Sequence, residues 1–149
     1  MRLPNYIKDF DEWKSGFDFS TDIKIRFSET DMFGHMNNVS PFIYFEEARI
    51  DYFDSLAFKI DDSSESESIP IVADLQCDYH RELYFGNKLK VYVKVESAGT
   101  SSMDIHYLGV NEKEEVCLTG RGALVNINPK TKQASPLSEK LKQKMLNKK

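Results

Sequence analysis

The apolar pattern of this chain predicts an α+β fold in which an antiparallel sheet is laid against one long helix. Three observations carry that expectation. Four stretches, 69–82, 87–97, 102–111 and 116–127, read as strands, the middle ones with apolar and polar side chains in alternation. The turns between them are short, at Gly86-Asn87, Gly99-Thr100 and Glu112-Lys113-Glu114, which favours a meander of consecutive antiparallel strands. One segment, 42–58, is both long and apolar enough to cover the buried face of such a sheet. With 149 residues the chain has room for one domain, 1–149, and not for a second core.

Taken in order, residues 1–20 read as an N-terminal packing arm, because Tyr6, Phe10, Trp13 and Phe17 fall on one helix face; a loosely ordered terminus is the alternative. Ile23, Ile25 and Phe27 alternate with Lys24 and Arg26 as a strand would. A polar turn, Gly-His-Met-Asn-Asn, follows, and a helix opens at Ser40-Pro41. The Ser40 hydroxyl is placed to cap it, and Pro41 suits the first helical position, where its missing N–H would be unpaired anyway. In 42–58, Phe42, Ile43, Phe45, Ala48, Ile50, Phe53, Leu56 and Ala57 cover much of the circumference and leave Glu47, Asp51 and Asp54 as a narrow polar stripe. Such a helix is expected to be largely wrapped. Residues 59–68 form an acidic, Ser-rich loop, a solvated connection or a flap over a site. In the second strand run Leu89, Val91, Val93 and Val95 face one way; in the third, Met103, Ile105 and Tyr107 alternate with Asp104, His106 and Leu108. Gly120-Arg121-Gly122 inside a strand pattern reads as a bulge or a close approach. The chain ends in a lysine-rich helix, 137–149, whose periodic part is 137–146.

Composition bounds the function. Hydrophobic residues at 40% and charged ones at 30% describe an ordinary soluble globule. No apolar run reaches a membrane-spanning length and the first residues lack a signal-peptide core, so a cytoplasmic protein with no membrane contact is expected. The net charge of −4 hides an asymmetry, since 138–149 holds five Lys and one Glu and leaves −8 on the rest. An acidic body argues against nucleic-acid binding. Cys77 and Cys117 lie in strand-like runs and read as small core residues. His80 and His106 lie on strands with no carboxylate at ligand spacing, so no metal site is expected.

The chemistry concentrates in 28–49. Asp31 stands a few residues ahead of the helix start, where unpaired N–H groups and the positive end of the helix dipole favour developing negative charge. A carboxylate beside such a cradle suggests acyl transfer, whereas its structural alternative is a turn Asp bonded to its own backbone. The stretch ETDMFGHMNN, followed by YFEEAR, resembles the signature of the 4-hydroxybenzoyl-CoA thioesterase-like branch of the hotdog-fold acyl-CoA thioesterases. Asp78-Tyr79 before Gly86-Asn87, then Thr119-Gly120-Arg121 before Val125, follow in that family's order, and the resemblance covers 22–136.

The resemblance implies a hotdog fold, a curved antiparallel sheet wrapped around one central helix, and metal-free hydrolysis of acyl-CoA to a carboxylic acid and coenzyme A. A thiol leaving group with a pKa near ~8.5 departs with little help from an acid, so the demands are a base or nucleophile and oxyanion donors. Asp31 is the implied carboxylate, and the backbone around Gly34 and His35 the implied oxyanion site. Phe33, Asn38, Arg81 and Arg121 complete the candidate substrate-binding set, the arginines for the coenzyme's phosphates. Asn37 and Asn38 can also hold the turn by side chain to backbone bonds. Glu46 is expected to pair with Arg49 one turn on. No cofactor is implied beyond the coenzyme A of the substrate, an acyl carrier protein is an alternative carrier, and the family's sites imply a homodimer or homotetramer. The rival from another class is a non-hydrolytic acyl-CoA-binding module. The Asp-x-Asn-Pro-x-His pattern of hotdog hydratases is absent.

Overall fold

The structure is a computed structural model describing residues 1–56 and 68–146. The acidic loop and the end of the predicted helix 42–58 fall mostly within 57–67, outside the described residues, as do the last three lysine-tail positions. The elements are α1 (Phe10–Ser15), β1 (Phe19–Lys24), a 3-10 turn (Phe27–Glu29), α2 (Ser40–Ser55), β2 (Ile69–Val72), β3 (Gln76–Tyr79), β4 (Lys88–Ala98), β5 (Ser102–Val110), β6 (Val116–Ile127) and α3 (Glu139–Leu146). The strands form one antiparallel sheet in the order β1-β4-β5-β6-β2, with β3 also on β6.

The expected meander holds for β4, β5 and β6 but not for the run 69–82. That run pairs with β6, not with the β4 that follows it, and it breaks at 73–75. The break is a local bulge, in which the Ala73 and Asp74 N–H groups both donate to the Ala123 carbonyl, at 2.8 and 3.5 Å. Gly122 makes room for it, since a Cβ there would lie 2.6 Å from the Asp74 carbonyl oxygen. The first predicted strand also ends early. After Lys24 the Glu29 carboxylate accepts the Arg26 N–H at 2.9 Å and turns the chain outward, leaving Phe27 76% exposed.

Helix α2 buries Tyr44, Phe45, Ala48, Tyr52 and Phe53 against the sheet, with the Phe45 ring stacked on Tyr107 at 4.4 Å. It is not wrapped all round, as its apolar residues predict: Ile43 and Ile50 are half exposed beside the carboxylates of its outer face. The buried stripe instead includes polar-tipped side chains that an apolar count leaves out. Arg49 is one of them, donating to the Tyr107 hydroxyl at 3.2 Å and standing 4.0 Å from Glu46. Ser40 does not cap α2, because it is already the first helical residue. The Asn37 side-chain oxygen takes that role, accepting from the N–H groups of Val39 and Ser40 and from the Ser40 hydroxyl.

The sheet's other face is covered in its middle. His106 and Leu108 are buried there because the arm packs over them, Ile7 and Trp13 forming a second cluster with Leu108 and Val110. Helix α1 is only six residues long, capped by Asp9, yet Tyr6, Phe10 and Phe17 gather around Trp13 as their spacing predicts. The buried Lys94 donates to the Trp13 carbonyl at 2.6 Å and pairs with Glu96. At the far end Ser138 caps α3, and Lys144 donates to the Leu56 carbonyl at the end of α2.

Candidate active site

Between the 3-10 turn and α2 the chain makes a closed polar turn. Thr30 and Met36 form a β-bridge, and the Asn37 N–H donates to the Glu29 carbonyl at 2.8 Å. Inside, the Asp31 N–H donates to the His35 carbonyl at 2.8 Å and the Gly34 N–H to the Asp31 carbonyl at 3.0 Å. Gly34 sits at φ +79°, a region open to glycine at little cost, which is why this turn carries one. Asp31 itself is exposed. Its Oδ1 accepts the N–H groups of Phe33 and His35, at 2.9 and 3.2 Å, while Oδ2 takes no hydrogen bond from the described residues.

Asp31, Phe33, Gly34, His35 and Asn38 are thus brought together, with one change of role. The Gly34 and His35 N–H groups, expected to cradle an oxyanion, are spent within the turn on Asp31. Asn38 lies two residues before the first residue of α2, exposed, and its carbonyl accepts the Tyr79 hydroxyl from β3. Its own N–H and side-chain amide meet no acceptor among the described residues. His35 stands 3.5 Å from the Glu82 carboxylate with its ring edge on Tyr84. Phe33 is 75% exposed and Met32 more so, giving the turn an apolar tip.

The two arginines part company. Arg81 lines an open cleft of about 620 Å3 together with Glu82, Tyr84 and Lys88, hence beside His35, and pairs with Glu115 at 3.1 Å. Arg121 lies on the opposite face of the sheet, because side chains alternate along β6 and Gly120 takes the position that faces Phe45. Its guanidinium is bound to Asp104 and Asp74. The other Asp104 oxygen meets His106 Nε2 at 2.8 Å, and His106 Nδ1 accepts the Trp13 indole N–H at 2.8 Å. Arg121 therefore belongs to the network under the arm and is not brought together with the Asp31 turn. His106 has its carboxylate partner two residues away on its own strand. Among the described residues no three His, Cys, Asp or Glu side chains converge as metal ligands would. Burial pushes the Cys77 thiol up to about 12 and raises Cys117 too, which suits packing rather than nucleophilic attack.

One residue escaped the sequence reading. Glu29 is 5% exposed and fully bonded: Oε1 accepts the Arg26 N–H and the Tyr44 hydroxyl at 3.0 Å, and Oε2 pairs with the Arg26 guanidinium at 3.1 Å. Burial alone would raise its pKa, but these donors outweigh it and hold the carboxyl below its ordinary range. The only sequence signal was an acidic residue where a strand pattern ends.

Residues 25–145 match the model of the Thioesterase-like superfamily, and the chain belongs to that family. Its curled antiparallel sheet around α2 is the hotdog fold. The chain is 44% identical over 148 residues, 99% of each protein, to the uncharacterized protein YsmA of Bacillus subtilis strain 168. Among solved structures it resembles the DHNA-CoA thioesterase of Staphylococcus aureus, at 31% identity and TM-score 0.73 over 79% of both chains. It also resembles a thioesterase of Thermus thermophilus complexed with coenzyme A and Zn, at 28% identity and TM-score 0.73, covering 88% of this chain and 99% of that one. No helix among the described residues is long and apolar enough to cross a membrane.

Proposed function

We propose that this protein is a cytoplasmic acyl-CoA thioesterase that uses Asp31 as its catalytic carboxylate and needs no metal. The observation that carries the proposal is the half-engaged Asp31: one oxygen locks the turn and the other stays open to solvent ahead of α2. As a base, Asp31 takes a proton from water, whose oxygen adds to the thioester carbonyl. The tetrahedral intermediate expels coenzyme A as thiolate, which recovers a proton from solvent. As a nucleophile, Asp31 itself adds, the adduct expels coenzyme A as thiolate, and water hydrolyses the resulting mixed anhydride to the free acid and Asp31. With the turn's own N–H groups engaged, the uncommitted donors nearest in the chain to the α2 start are those of Asn38, and they serve the oxyanion. Arg81 and Lys88 suit the coenzyme's phosphates, and Phe33 the acyl chain. The coenzyme A bound by the Thermus thermophilus thioesterase and the DHNA-CoA substrate of the Staphylococcus aureus enzyme support this carrier.

The test is thiol release from short, long and aromatic acyl-CoAs in the presence of a chelator, by the wild type and by Asp31→Asn. Asparagine keeps an oxygen to accept the Phe33 and His35 N–H groups, so the turn survives while the base is lost. Turnover by the wild type and a loss of roughly 10²-fold or more in the variant is the expected outcome. Binding of acyl-CoA without thiol release from either protein would instead favour a non-hydrolytic binding module, a reading that the engaged Gly34 and His35 donors keep alive. An acyl-carrier-protein thioester in the same panel decides the carrier.

A further inference from the structure

We infer that Glu29 is a positioning residue: through Tyr44 and Asn37 it fixes the Asp31 turn in register with α2. Its side chain is buried and both its oxygens are occupied, so it is not free to act on a substrate itself. What it does touch is both ends of the site. Its side chain is bound by Tyr44, a buried residue of α2, and its main-chain carbonyl closes the turn by accepting the Asn37 N–H. Asn37 in turn caps α2 through its side-chain oxygen. The turn is thereby tied to α2 at two points, the first helical residues and the Tyr44 hydroxyl, and Glu29 is the member common to the closure and the second tie. On the far side the Met36 N–H donates to the Leu83 carbonyl at 2.7 Å, so the turn is clamped between α2 and the loop before β4.

A carboxylate serving only as the 3-10 turn's own cap would need Arg26 and not Tyr44. Tyr44 stays a donor at all ordinary pH, because burial and the neighbouring carboxylate both push its phenol up. The Tyr44–Glu29 bond is a charge-assisted one in a dry setting, the strong kind. A turn released from it keeps its internal hydrogen bonds but loses its fixed direction relative to α2. Small misplacement of a reacting group costs rate more than binding.

The inference rests on the proposed role of Asp31 for its catalytic consequence and on geometry for its structural one, and the experiment separates them. Tyr44→Phe and Glu29→Gln are compared with wild type by kcat and KM for thiol release and by amide hydrogen exchange at Met36, Val39 and Ser40, whose bonds tie the turn to Leu83 and to the start of α2. The expected result is a kcat lower by roughly 10- to 100-fold with KM changed by less than about threefold, and exchange at those amides faster by roughly tenfold. The double variant should fall no further than the worse single one, because both weaken the same Tyr44–Glu29 bond, one by deleting the hydroxyl and the other by removing the carboxylate's charge. Tyr44→Phe deletes a single hydroxyl and keeps the ring in the core, so it remains informative if Glu29→Gln folds poorly. Unchanged exchange in Tyr44→Phe overturns the inference whether or not the wild type is active. A wild type that releases no thiol overturns the proposed function alone, and faster exchange would still place Glu29 as the anchor of the turn.

Discussion

At Gly120 the sheet and the central helix come closer than any side chain on β6 would allow. A Cβ there would stand 2.5 and 2.7 Å from two ring carbons of Phe45 and 2.9 Å from the Gln76 carbonyl oxygen. Phe45 has nowhere to retreat, being stacked on Tyr107. Gly120→Ala is expected to destabilise by about 1–3 kcal/mol, as overpacking of a filled core does. The measurement is the urea midpoint, and adding Phe45→Leu should recover part of the loss; an unchanged midpoint in Gly120→Ala would contradict this packing. The strand pattern marked Gly120-Arg121-Gly122 as a close approach but could not say to what, because Phe45 and Asp74 are distant in sequence. The Asp31 turn was legible for the opposite reason. The bonds of its carboxylate run to residues two and four ahead, and Asp and Gly have local preferences that a sequence displays. Glu29 was illegible because half its meaning lies in Tyr44, on another element.

Among the elements, the arm shows how a long-range contact changes the character of a strand. By alternation Asp104, His106 and Leu108 should face water or a partner, and the arm makes that face interior at His106 and Leu108. The tautomer follows from the partners. The Trp13 indole N–H donates to His106 Nδ1, so the ring proton sits on Nε2 and faces Asp104. Burial lowers the His106 pKa and is only partly opposed by Asp104 and Glu96, with Lys94 adding to the depression; Arg121 faces Asp104 from β6, and the Tyr6 ring lies against the imidazole. Because the folded value lies below the ordinary ~6.5, His106 released from its latch with Trp13 binds the proton more readily. The latch's contribution is therefore full above about pH 6.5 and is lost as pH falls through the folded value. A protonated Nδ1 would also point a hydrogen at the indole N–H. Trp13 is the chain's one tryptophan, so its fluorescence reports the arm. An acid transition below about pH 6.5 is expected in the wild type and not in His106→Gln; the same transition in both proteins would place the sensor elsewhere.

For the whole molecule, the sequence displayed which residues form strands and not which strands are neighbours. Alternation is a property of one strand, whereas pairing is decided by what the connections reach, and the run 69–82 returns to β6 rather than joining β4. That topology leaves β2 at one end of the sheet, a four-residue edge with Ile71 and Val72 exposed at 43% and 39%. Edges of this kind pair with another chain unless they are blunted; Pro70 blunts this one in part, and no charged side chain occupies Ile-Pro-Ile-Val. The apolar tip of the Asp31 turn, Met32 and Phe33, is equally uncovered. We propose that a second copy covers these surfaces, forming the homodimer, with a homotetramer as its further assembly. Wild-type protein at micromolar concentration is then expected to scatter light as at least twice 17.2 kDa. A charged edge, Ile71→Lys with Val72→Lys, should shift the mass toward one chain and lower thiol release with it, since the site would lose its cover. A wild type that stays at one chain's mass refutes the dimer; a charged-edge variant that remains paired moves the interface away from β2.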